Sequence, residues 1–211
     1  RPPESEIRVR FLVEAQAVKQ MINRGLISVT QLGRDDIEKY IDTANQIAED
    51  PSSLKAPKNS IVALLFFEES TRTRVGFTSA AYRLGAQVVL INDTKLNIQT
   101  GLAESLEDTI RSIQSYCDVI CMRHPDEGVF SQLEPVLEKP IINCGNANVE
   151  HPTQSLIDLM TIKNELGRLD NLSIAIVGNP RFSRAAHSLI LALSKFKDIR
   201  VRTIAPEELH F

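Results

Sequence analysis

The sequence predicts an α/β protein built on a mainly parallel sheet with helices on both faces. Three observations carry this. Short continuous apolar runs rich in Val and Ile recur along the chain. Each is followed by a stretch whose apolar residues repeat at helical spacing, and cap and stop signals fall at the ends of those stretches.

The elements follow in order. Ile7 to Asn23 and Asp35 to Glu49 have helical periodicity, the second through Ile37, Tyr40, Ile41, Ala44, Ile47 and Ala48. The Pro- and Ser-rich loop EDPSSLKAPKNS comes next. The predicted strands are then IVALLFF (61–67), QVVLIND (87–93), DVICMR (118–123), PIINCGN (140–146), LSIAIVGN (172–179) and IRVRTIAP (199–206). A helix over 72–84 has Gly85 where a left-handed stop is needed. Ser105 with Asp108 three residues on resembles a capping box. Residues 151–169 read as one unbroken helix, a candidate bridge between two α/β units. Only strand, helix and strand follow residue 171; a parallel unit that small would expose much of its sheet edge and both faces, so it reads as part of a larger one.

Composition narrows the function classes. A hydrophobic fraction of 43% in 211 residues is enough for a buried core. With 24 Lys and Arg against 27 Asp and Glu, a net charge of -3 gives no reason to expect nucleic acid as a partner. Cys117, Cys121 and Cys144 lack the spacing of a zinc site or disulfide framework and read as reduced core thiols. No apolar run reaches the ~20 residues that span a bilayer, and the N-terminus is charged, so the expectation is a cytoplasmic protein without a membrane partner. Arg1 in place of Met points to a trimmed N-terminus.

Ligands of an open parallel sheet gather at the carboxyl ends of its strands. Reading off those ends gives Glu68 to Arg74, then Arg123 and His124, then the segment through Asn146 to EHPTQ, and last Asn179 to Arg184. Ser70 stands where it would cap a helix carrying Arg72 and Arg74, so free amides and the positive end of the helix dipole would face outward. Such a terminus suits a phosphate. Ser70, Thr71 and Thr73 add hydroxyl donors, and the Arg72 guanidinium presents a planar fork.

The strings FFEESTRTRVGF, MRHP and HPTQSLIDLMTI, in that order at successive strand ends, resemble the aspartate/ornithine carbamoyltransferase family. GRLDNLSIAIVGN and Thr153 in HPTQ favour its aspartate branch, and the resemblance runs from about Gly33 to about Pro206. It implies a carbamoyl-phosphate-binding domain over 1–150, an interdomain helix over 151–170, and a partial, Rossmann-like amino-acid-binding domain over 171–211. The implied reaction passes a carbamoyl group from carbamoyl phosphate to L-aspartate, with no metal, no cofactor and no covalent intermediate, in a homotrimer open to a regulatory or partner enzyme subunit. On the family pattern Ser70, Thr71, Arg72 and Thr73 hold the phosphate, and Arg123 reaches phosphate and carbonyl oxygen. His151 donates to that oxygen, Gln154 accepts from the carbamoyl nitrogen, and Arg184 binds a substrate carboxylate. Arg72, Thr73, Arg123 and His151 are the implied catalytic set, and His124 and His187 are left out of it.

The sequence departs from this pattern in three places. With Glu104 as the reference, Ile98 and Leu102 stand where the family places a serine and a lysine in a loop that reaches the neighbouring subunit, and Lys95 lies earlier in that loop. Thr78 stands where a glutamate is usual. The late ligand-bearing segments of the family's second domain have no counterpart, which implies weak amino acid binding. A catalytically impaired homologue with a structural or regulatory role, and a carbamoyltransferase with another acceptor amine, are the competing expectations.

Overall fold

A computed structural model describes residues 25–91 and 104–210. The predicted Ile7 to Asn23 helix, and the loop positions Lys95, Ile98 and Leu102, lie outside the described residues. Among the described residues seven strands appear: β1 (Gly25–Leu26), β2 (Ile61–Phe66), β3 (Gln87–Ile91), β4 (Val119–His124), β5 (Ile141–Asn146), β6 (Ser173–Val177) and β7 (Arg200–Ile204). Six α-helices accompany them: α1 (Arg34–Glu49), α2 (Thr71–Arg83), α3 (Leu106–Ile113), α4 (Val129–Leu133), α5 (Pro152–Leu166) and α6 (Arg184–Leu193).

The first five strands form one sheet in the order β1-β5-β4-β2-β3, and β6 pairs with β7 in a second. Every ladder is parallel. The pleat of β2 sorts its side chains: Val62, Leu64 and Phe66 join Phe77, Ala80, Ala81 and Leu84 of α2 on one face. Ala63 and Leu65 meet Ile110 of α3 and Val129, Phe130 and Leu133 of α3's neighbour α4 on the other. Both faces are covered, so the central strands have continuous apolar sequences. All three cysteines are buried and unpaired; Cys121 and Cys144 sit in the first of these clusters.

A third apolar cluster joins Ile37, Tyr40, Ile41 and Ala44 of α1, Leu156, Ile157, Leu159 and Met160 of α5, and Ala192 and Leu193 of α6. The α5 helix therefore packs between the two sheets. Pro152 opens it, where a missing N–H costs nothing, and Gly167 closes it at φ 70. Gly85 plays the same part after α2, at φ 81.

Three details differ from expectation. The sequence reading contains no β1, because a two-residue strand has no periodicity to read. Gly25 is required there: at φ 95, a Cβ would run into the Ile141 backbone. At α3, Ser105 Oγ accepts from Asp108 N at 3.1 Å, but the Asp108 carboxylate takes the Ser105 hydroxyl at 2.8 Å rather than a backbone amide, so the capping box is only half formed. Finally, the short second sheet, expected to expose both faces, exposes one: β6 and β7 alternate between half-buried and exposed positions. Their inner residues Ile174 and Val201 lean on the third cluster. Among the described residues no helix covers the opposite face of this sheet, where Val177 is 72% exposed.

Candidate functional site: an anion-receptive cleft between two sheets

The carboxyl ends of β2, β4 and β5 and the start of α6 surround a cavity of about 580 Å³. Its walls include Ser70, Thr71, Arg72, Thr73, Arg123, His151, Gln154 and Arg184, so every sequence-predicted site residue lines one space. His124 does not. Its ring meets Phe67 edge-on at 5.0 Å, and its Nδ1 accepts from Asp126 N at 3.0 Å. Burial holds its pKa below the ordinary histidine value, against the opposing pull of Asp126.

Ser70 is the N-cap of α2, with extended backbone at φ -159, but its side chain makes no capping bond. The first closed turn is Arg74 N to Ser70 O, at 3.0 Å. The amides of Thr71 and Arg72 precede that bond and have no acceptor within the helix. The side chains of Ser70, Thr71 and Arg72 have no hydrogen-bond partner among the described residues. Thr73 is 4% exposed and forms the base of this wall. The result is a helix terminus whose dipole, amides, alcohols and one guanidinium all favour an anion.

Arg123 reaches the cavity from β4 while only 7% exposed. Its Nη2 donates to Glu68 Oε1 at 2.9 Å, and its buried Nε has no partner among the described residues. Opposite it, β5 carries a bulge: Met122 pairs with Asn143 and His124 with Asn146, so β5 spends one extra residue. Gly145 lies in this irregularity at φ 109. A Cβ there would stand 3.4 Å from Arg123 Nη1 and from His151 Cδ2, and 3.5 Å from Arg184 Cδ. Three cavity side chains thus close on a residue that has none.

Buried amides hold the bulge. Asn143 Nδ2 donates to Ile27 O at 2.9 Å and to Asn146 Oδ1 at 3.1 Å, while Gly145 N donates to Asn143 Oδ1 at 2.8 Å. Glu150 accepts from Ser28 Oγ at 2.7 Å and Val29 N at 3.0 Å, tying the turn before His151 to the segment after β1. His151 is then the N-cap residue of α5, and its backbone N donates to the buried Ser188 Oγ of α6 at 2.8 Å. Gln154 follows one turn along α5. Its Nε2 donates to Asp158 Oδ1 at 3.0 Å, which fixes which end of the amide is the donor.

Arg184 is the first residue of α6, where the helix dipole disfavours a cation. Glu68 compensates. Arg184 Nη1 and Nη2 donate to its Oε2 and Oε1, each at 3.1 Å, and Nη1 also donates to Ala147 O at 2.7 Å. One carboxylate therefore joins a guanidinium group from β4 to one from the start of α6. Partial burial alone would raise the Glu68 pKa; hydrogen bonds from Arg184 and then Arg123 more than offset it and hold the carboxyl below its ordinary value. Sequence reasoning passed over Glu68 as a site residue. Its place directly after a strand was the available signal. Asn148 and Phe182, which also line the cavity, lie within the strand-end segments from Asn146 and from Asn179, but no residue pattern singled them out there.

The fold and cleft define an α/β protein with a cleft rich in cationic and hydroxyl side chains at the carboxyl end of a parallel sheet, facing a second α/β unit. The chain belongs to the aspartate/ornithine carbamoyltransferase family: residues 24–164 match the family described as "Aspartate/ornithine carbamoyltransferase, carbamoyl-P binding domain". The aspartate carbamoyltransferase catalytic subunit of Picrophilus torridus is 41% identical over 188 residues, covering 88% of this chain and 61% of that protein. That of Methanocaldococcus jannaschii is 41% identical over 187 residues, covering 87% and 61%. The chain thus spans less than two thirds of the length of the curated relatives it matches. Among solved structures, Trypanosoma cruzi aspartate transcarbamoylase in complex with aspartate and phosphate superposes with a TM-score of 0.83 at 37% identity, covering 91% of this chain and 63% of that one. The Methanocaldococcus jannaschii catalytic subunit gives 0.81 at 40%, covering 89% and 62%.

Proposed function

We propose that the chain carries the carbamoyl phosphate site of an aspartate carbamoyltransferase, which makes N-carbamoyl-L-aspartate and phosphate for pyrimidine synthesis in the cytoplasm. The observation that carries this reading is the convergence of Ser70 to Thr73, Arg123, His151, Gln154 and Arg184 on one cavity. Residues 1–150 form the carbamoyl phosphate part, 151–170 the connecting helix and 171–211 part of the amino acid side. The T. cruzi complex with aspartate and phosphate supports the same pair of ligands here.

In this reading the phosphate dianion docks on the open start of α2, held by Ser70, Thr71, Arg72 and Thr73. The aspartate amine attacks the carbamoyl carbon, and the carbonyl oxygen gains charge as the tetrahedral species forms. Arg123 and His151 are positioned to donate to that oxygen, and Gln154 to accept from the carbamoyl nitrogen. As the carbon–oxygen bond to phosphate breaks, the leaving group takes the electron pair beside Arg72 and Arg123, and the proton lost by the amine passes to the departing phosphate. Arg184 takes an aspartate carboxylate, which must displace Glu68 or share its arginine.

We also propose a homotrimer, with room for a regulatory or partner subunit. Val75 and Tyr82, seven residues apart on α2, are 57% and 61% exposed, and Val89 and Leu90 on the edge strand β3 are 45% and 43% exposed. An apolar surface so close to the Arg72 wall suits a site shared between copies.

The test is aspartate-dependent release of phosphate from carbamoyl phosphate by the purified full-length chain. Arg72→Ala is expected to lower turnover by ~100- to 1,000-fold. Absence of aspartate-dependent release at every substrate concentration overturns the reading. It would leave a carbamoyltransferase with another acceptor amine, which a screen of amines separates, and the impaired homologue, which Ile98 and Leu102 favour because neither can donate a hydrogen bond in place of a serine and a lysine. Under that second reading, Ile98→Ser with Leu102→Lys is expected to raise turnover.

A further inference from the structure

We infer that Thr153 is a positioning residue that fixes His151 as the tautomer protonated on Nε2, so that the ring presents a donor, not an acceptor, to the cavity. The use made of that donor rests on the activity proposed above; the tautomer itself does not.

The argument is one of hydrogen-bond accounting at a fully enclosed hydroxyl. Thr153 is 0% exposed and His151 is 6% exposed. Thr153 Oγ1 lies 3.2 Å from His151 Nδ1, and among the described residues this is the only hydrogen-bond partner of that hydroxyl. Two assignments are possible. If Nδ1 carried the ring proton, it would donate to Oγ1, and the threonine hydrogen would then have no acceptor in a site closed to water. If Nδ1 is bare, the hydroxyl donates to it, and the sole donor and the sole acceptor satisfy each other. A buried donor left unpaired is disfavoured on the order of 10-fold or more, so the second assignment dominates. The neutral ring then carries its proton on Nε2.

The surroundings keep the ring in the pose that this bond needs. Gly145 leaves Cδ2 room that any Cβ would narrow to 3.4 Å. Ser188 Oγ holds the His151 backbone amide at 2.8 Å. Pro152 between the two partners fixes the backbone at the start of α5, and with it the spacing from His151 to Thr153. A neutral imidazole with its proton on the cavity side is the state required to donate to a carbonyl oxygen that is gaining charge.

The experiment reads the ring nitrogens directly, by long-range nitrogen–proton correlation spectra of the 15N-labelled full-length chain without substrate. The chain has 4 histidines, and loss of one pattern in His151→Gln assigns the signals. The wild-type ring is expected to show a protonated Nε2 and a bare Nδ1. Thr153→Val, which keeps shape but removes the hydroxyl, is expected to give a mixture of tautomers, and Thr153→Ser to restore the single one. In the carbamoyl phosphate and aspartate assay, Thr153→Val should lower kcat by roughly 10- to 100-fold with little change in KM for carbamoyl phosphate, and Thr153→Ser should recover most of it. A wild-type ring protonated on Nδ1 overturns the inference, as does a folded Thr153→Val that keeps a pure Nε2–H ring. If Thr153→Val does not fold, the wild-type and Thr153→Ser spectra still decide. A wild-type Nε2–H ring in a chain without turnover would count against the activity alone.

Discussion

Two of the three helices that open on the cavity, α2 and α6, begin differently. At α2, Ser70 holds the N-cap position with no capping bond, and the amides of Thr71 and Arg72 have no acceptor within the helix. At α6, Ser183 Oγ accepts from Ala186 N at 3.2 Å, and the adjacent Arg184 is tied to Glu68. One helix start is thus uncapped by its own side chain; the other is capped from within the chain. Their foundations differ as well, because α2 rests on a sheet covered on both faces while α6 rests on β6 and β7, covered on one. An open terminus costs stability, and the rigid, fully packed sheet is where that cost is tolerated.

The largest expected effect breaks the comparison at its foundations. Leu64 in β2 is 0% exposed, so Leu64→Ala should destabilise the chain by about 2–5 kcal/mol, through lost transfer energy and the cavity left behind. Val177→Thr on the open face of β6 should stay within about 0.5 kcal/mol. Urea unfolding of the two variants measures the contrast. Equal losses would mean that the outer face of β6 is covered as well.

How much of this was legible in the sequence follows the same division. The six longer strands were readable because their Val- and Ile-rich runs are local, and the Ser70 to Thr73 wall because its donors are consecutive. Exposure of the second sheet followed from the shortness of its unit, but which face stays covered was not legible, because Ile174 to Val177 is apolar throughout. Nor was the role of Glu68, whose arginine partners lie 55 and 116 residues away. The Gly145 bulge was hidden for a related reason, since three distant side chains define the space it leaves. Cap chemistry was legible in type but not in detail: at Ser70 the residue was right and the bond absent.

A second, smaller effect sharpens the comparison at the carboxylate shared by the walls. Glu68→Gln keeps the shape and some hydrogen bonding but removes the countercharge from Arg123 and Arg184. A loss of about 1–3 kcal/mol is expected by urea unfolding at neutral pH. The acid limb provides an independent check. The folded Glu68 pKa lies below its ordinary value of 4.5, so its contribution is complete above that pH and fades as pH falls through the folded value. The stability gap between wild type and Glu68→Gln should therefore narrow below about pH 4.5. A gap that is constant through this range would show that charge is not what holds the two arginines.

The smallest effect separates the two caps themselves. Ser183→Ala removes a formed bond to Ala186 N and should cost about 1 kcal/mol, the usual value of a lost N-cap. Ser70→Ala removes a hydroxyl that caps nothing, so its stability should change by no more than a few tenths of a kcal/mol. Binding should invert the order. If Ser70 is left uncapped because its hydroxyl and the neighbouring amides serve a phosphate, Ser70→Ala should weaken carbamoyl phosphate binding in calorimetry while Ser183→Ala leaves it nearly unchanged. A Ser70→Ala variant that loses stability but not affinity would reassign the open start of α2 from ligand capture to ordinary helix capping.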